Sequence, residues 1–169
     1  MPRIAEGEFA LVKERLAGSL TLSGQPVKRG TMAHEHIVYM MMVDAMALAE
    51  DREGIAVYAP RLVELAERDD HRPYLAVARR ALGVAARLAG ELDEARRLLN
   101  AALDEFSERE MRWQAGRTHL ELGRLELVRG SDEQAEAYFS EALETLQQTG
   151  SKPFMEQALT ELEAIRHAE

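Results

Sequence analysis

There is no cysteine in these 169 residues. That removes disulfides, thiolate catalysis and thiolate zinc sites together. Lysine occurs only at positions 13, 28 and 152, and aromatic residues make up 5 % of the chain. Acidic residues outnumber basic ones, leaving a net charge of −9. Neutralising phosphates needs a surplus of Lys and Arg, so this balance argues against a general nucleic-acid binder. The longest apolar-looking run, Ile37 to Ala49, contains Asp44 and is too short to span a bilayer. Met1-Pro2-Arg3-Ile4-Ala5-Glu6 lacks the apolar core of a secretory leader. A soluble, cytoplasmic protein without a membrane partner is expected. Nowhere do apolar and polar residues alternate with period two, so no strand is expected.

What the chain does contain is a sentence said twice. Gly83, Gly90, Ala95, Leu99 and Ala102 return as Gly123, Gly130, Ala135, Phe139 and Ala142, each displaced by 40 residues. Leu82 and Leu103 return as Leu122 and Leu143 at the same interval. A fixed period in this range marks a repeat array. Apolar residues at 46 % are enough for a sizeable core in one domain.

Around this period the chain reads as consecutive helices. Phe9, Val12, Leu16 and Leu20 place one apolar stripe on a helix within 4–20, ended by Ser23-Gly24-Gln25-Pro26. Thr31 is suited to cap a helix over 32–50, and another is expected over 52–68 with a kink or late start at Pro60. Asp70 reads as the N-cap of the next, with Pro73 in its first turn. Gly90 supplies a left-handed end before Glu91–Glu108. A helix led by Trp113 and Ala115 runs to Gly130. Ser131 and Gln134 then read as a capping box for the following helix. Gly150 ends it, and Ser151 opens a final helix with Pro153 near its start and a polar outer face.

The Leu-Gly pair, the Gly seven residues on, and the Ala, bulky and Ala positions after it resemble the tetratricopeptide repeat. The likeness covers 71–110 and 111–150 well. It covers 31–70 with less fidelity, where Val43, Glu50, Ile55, Ala59 and Leu62 hold the five positions. Residues 1–30 would be an N-terminal helix and connector, and 151–169 a capping helix. The interval of 40 exceeds the family's usual 34. The early aromatic position holds Tyr39, Arg79 and His119, and the later Tyr position Met46, Ala86 and Glu126. Such long repeats are similar to those of bacterial regulatory proteins. The resemblance implies an all-α superhelix, a right-handed solenoid of about eight helices in antiparallel hairpins.

It also implies a concave surface lined by the first helix of each hairpin. That places Ile37, Met40, Asp44, Ala47, Arg80, Val84, Arg87, Arg117, Leu120, Arg124 and Leu127 there. Arg80 and Arg87 stack on one helical face, and Arg117 and Arg124 follow 37 residues later, at adjacent rather than equivalent positions. Guanidinium forks bind carboxylates in bidentate fashion, so the groove is expected to take an acidic or C-terminal-carboxylate peptide. The plainer reading is that these arginines pair with Glu91, Glu121 and their neighbours. Met32, Met40, Met41, Met42 and Met46 crowd one helix and read mainly as core, with Met40 the best placed for exposure. His34-Glu35-His36 does not have zinc-motif spacing, and residues two apart on a helix point to different sides. No catalytic constellation, metal site or cofactor stands out. A non-catalytic protein-interaction scaffold is therefore expected. A small-ligand-sensing regulatory module and a structural homo-oligomer are the alternatives.

Overall fold

A left-handed turn recurs every twenty residues. Glu50, Asp70, Gly90, Glu110, Gly130 and Gly150 all have positive φ, between 48° and 80°. At each, the same two hydrogen bonds close the helix end. In the third, Gly90 N–H donates to the Arg87 carbonyl at 3.1 Å and Glu91 N–H to the Ala86 carbonyl at 2.9 Å. This is the Schellman pattern, and it satisfies carbonyls that would otherwise be orphaned.

The structure is a computed structural model and describes residues 32–168. The expected helix over 4–20, its connector and the Thr31 cap lie outside these. Between the turns run seven helices: α1 (Met32–Leu48), α2 (Arg52–Arg68), α3 (Arg72–Leu88), α4 (Leu92–Glu108), α5 (Arg112–Arg129), α6 (Asp132–Thr149) and α7 (Lys152–Ala168). No strand occurs among the described residues. None of these helices is long and apolar enough to cross a membrane.

Each helix packs on the next, and α3 also touches α1 and α5. Glycine sets the closeness within a pair. A Cβ built on Gly123 would lie 2.5 Å from the Phe139 ring, and one on Gly83 would lie 2.8 Å from Leu99. The small residue of one helix and the bulky residue of its partner thus interlock at both copies of the period. A Cβ on Gly116 would meet Leu146 at 2.8 Å. Along α5 the contacts therefore advance from Gly116 to Gly123 while along α6 they retreat from Leu146 to Phe139, so the two helices run antiparallel. In the first pair the sizes are exchanged. Val43 stands in the Gly83 position and Ala59 in the Leu99 position, and both are fully buried.

Several expected helix ends differ. Asp70 is not an N-cap. It is the left-handed residue of the preceding turn, and His71 caps α3 without a side-chain bond. Ser131 does occupy the N-cap of α6, but its side chain makes no capping bond. With the turn closed this tightly, the N-cap residues have ψ between 63° and 86° rather than extended values. Of these five N-cap residues Asp51 reaches forward, accepting from Gly54 N–H at 2.9 Å. Helix α2 starts at Arg52 and continues through Pro60 to Arg68, so there is no late start.

Candidate functional site

The first helices of the pairs, α1, α3, α5 and α7, meet through charge. Asp44 on α1 is 1 % exposed. Its Oδ1 accepts from Arg80 Nη2 on α3 at 2.9 Å and from Arg117 Nη2 on α5 at 2.9 Å. Its Oδ2 accepts from Arg117 Nη1 at 2.7 Å. Arg80 Nη1 donates onward to the Gln114 carbonyl at 3.2 Å. The Arg117 guanidinium lies 4.6 Å from the Trp113 ring and 4.8 Å from the Phe154 ring, and Arg80 lies 5.3 Å from Phe106. Aromatic faces stabilise desolvated guanidinium groups. Burial alone would raise the Asp44 carboxyl's pKa, but Arg117 and then Arg80 outweigh it and hold it below the usual carboxylate range. Burial, followed by repulsion from Arg117, pushes Arg80 down to about 10, so it remains charged at neutral pH.

A second tier runs alongside. Arg87 bonds Glu50, and Glu121 lies 3.5 Å from the same guanidinium. Arg124 donates to Glu121 at 2.8 Å and to Glu161 on α7 at 3.0 Å. Burial would lower Arg124, but Glu121 and Glu161 raise it above the ordinary value. The 37-residue spacing between the arginine pairs reflects how successive first helices abut. Glu50 to Arg87 and Arg124 to Glu161 are bonds over that separation, Asp44 to Arg80 over 36.

The groove residues expected from sequence fall in three places. Asp44, Arg80, Val84, Arg117 and Leu120 are buried between packed helices, as is Ala47. The arginines do not stand free in an open groove: Arg80 and Arg117 are paired with Asp44, Arg87 with Glu50 and Glu121, and Arg124 with Glu121 and with Glu161 on α7. Met40 and Leu127 are half-buried, and Ile37 is exposed. Arg124 keeps the most exposure of the four arginines, its side chain 22 % accessible against 2 % for Arg80. Of the carboxylates expected to pair with them, Glu121 does so, whereas Glu91 is exposed. Sequence reasoning placed Asp44 on this face but missed its role as the counter-ion of two arginines. The one legible signal was the separation near 37 that Asp44, Arg80, Arg117 and Phe154 share.

The cavity at the centre of this network, lined by Val84, Leu120, Phe154 and Gln157 among others, is about 10 Å³. That is at the lower bound for one water molecule. Beside Arg124 an open depression of about 410 Å³ is lined by Pro153, Gln157 and Thr160. Elsewhere, His36 Nε2 lies 3.1 Å from the Leu65 carbonyl and 3.0 Å from Asp69, and His71 stacks on Tyr74. Among the described residues no group of three His, Asp or Glu is placed to hold a metal ion.

No family model matches the chain. No curated protein matches it significantly.

Proposed function

We propose that this chain is a helical-repeat interaction module of the tetratricopeptide kind, its hairpins stacked as a right-handed superhelix, without a catalytic role. The observation that carries the reading is the charged network across α1, α3, α5 and α7. It fixes the first helices to each other through side chains instead of leaving them to a ligand, which is what a preformed docking platform requires. A small-effector site would need an enclosed volume, and the cavity within the network is about 10 Å³.

On the inner face the partner is an acidic segment or a C-terminal carboxylate. It engages at Arg124, the most accessible of the four arginines with its side chain 22 % exposed, where a carboxylate can take the place of Glu161 on the guanidinium. The test is fluorescence anisotropy with labelled peptides ending in Glu-Asp and a free carboxylate, against the same peptides amidated. The free-carboxylate peptides should bind at least tenfold tighter, and Arg124→Ala should abolish the difference. Equal binding of both forms, unchanged by Arg124→Ala, would overturn the assignment.

A further inference from the structure

A second opening lies on another side of the molecule, between the N-terminal ends of α2 and α4 with the end of α3 as its floor. It is an open groove of about 700 Å³. Its floor is apolar: Leu82, Ala85, Ala86 and Ala89. Val57, one residue beyond the groove wall at Ala56, is 67 % exposed.

The next repeat fills the corresponding position differently. Forty residues on, between α4 and α5, two ion pairs cross the corresponding space. Arg96 bonds Glu126, and Arg129 Nη1 donates to Asp93 at 2.9 Å. In the first groove the counterparts of Arg96, Glu126 and Arg129 are Ala56, Ala86 and Ala89. Only the counterpart of Asp93 survives as an acid, Glu53. Leu98 replaces the larger Tyr138. Three charged side chains are thus missing, and the carboxylate that one of them would neutralise is still present.

The rim charges decide what would fit. Glu94 is satisfied by Arg97 through two bonds, at 2.7 and 2.6 Å. Glu53 and Glu91 form no ion pair among the described residues, and neither does Arg52. The unpaired charge on the rim is therefore net negative, beside an alanine floor too shallow to fill itself.

We infer that this groove docks an arginine-bearing amphipathic helix of a partner protein. Its apolar side chains would cover Leu82, Ala86 and Ala89, and a guanidinium would supply to Glu53 what Arg129 supplies to Asp93. The inference rests on the interaction-module reading but concerns a different surface and the opposite partner charge.

The test uses the full chain and two labelled sixteen-residue amphipathic helical peptides. Both carry a leucine face, one with an arginine polar face and the other with a glutamate one. Anisotropy in 0.1 M salt, on the order of a 10 Å screening length, should show the arginine peptide bound at least tenfold tighter. Ala56→Arg, at an exposed position, should weaken it tenfold or more by restoring the side chain that fills the next groove. Glu53→Gln should weaken it several-fold. Circular dichroism should show both variants as helical as the parent. Preference for the glutamate peptide, no binding of either, or arginine-peptide binding indifferent to Ala56→Arg would overturn the inference, the last because it reports only attraction to an acidic chain. The carboxylate-peptide experiment separates the two readings. If that peptide binds through Arg124 while the arginine peptide does not bind, this groove is wrongly assigned and the interaction module stands. If neither binds, both fall.

Discussion

Asp44 is a single carboxylate facing two guanidinium groups with almost no access to water. Removing one member of a buried charge cluster costs more than the cluster contributes, because the others are left uncompensated. Asp44→Asn should therefore destabilise the protein by about 3–5 kcal/mol, read from urea unfolding. The pH dependence has a definite sign. The folded carboxyl titrates below its unfolded value, which lies near 3.9. Its contribution is thus complete above that value and is lost as pH falls through the lower, folded one. Urea midpoints measured from pH 5 to pH 2 should fall more steeply for the parent than for Asp44→Asn. Parallel profiles would show that this carboxylate does not carry the acid sensitivity. The sequence revealed that Asp44, Arg80 and Arg117 share a face. It did not reveal their pairing, since periodicity gives direction on a helix and not the depth to which a neighbouring helix covers it.

At the scale of the element, two devices set the geometry: left-handed turns and interlocking glycines. Glu110 holds a left-handed φ of 54° that glycine would hold at less cost. Its side chain is exposed and has no ion pair among the described residues. Glu110→Gly should raise stability by about 0.5–1 kcal/mol, visible as a higher melting temperature. Gly123→Ala should do the opposite. Its new methyl would meet a rigid ring at 2.5 Å, and overpacking of that kind costs about 1–3 kcal/mol. Thermal melts of the two variants should bracket the parent. Gly90, Gly130 and Gly150 could be read as helix ends from sequence, and Gly83 and Gly123 as packing positions. Asp70 could not, because an acid before a helix reads as a cap, and only the closed turn shows that it ends the helix behind it. The seven described helices were legible as an order and a period, whereas the capping box read at Ser131 does not form.

At the scale of the molecule, the longest side-chain link in sequence among the described residues is the bond between Asp44 and Arg117, 73 residues apart. It joins α1 to α5 past α3, so three successive pairs share one charge cluster. Neighbour-only packing would make the array a sum of local terms; a shared buried cluster adds coupling between units that are not adjacent. The period of 40 was legible because small residues mark it. The groove between α2 and α4 was not, because an opening made by Ala56, Ala86 and Ala89 appears only when their counterparts are seen bridging the next repeat. The decisive measurement is a double-mutant cycle on Asp44→Ala and Arg117→Met by equilibrium unfolding. The account predicts a coupling energy of about 2 kcal/mol or more between the two positions, since each loses its partner once the other is gone. Additive effects, within about 0.5 kcal/mol, would show that the first and third pairs do not share this contact and would contradict the packing on which everything above depends.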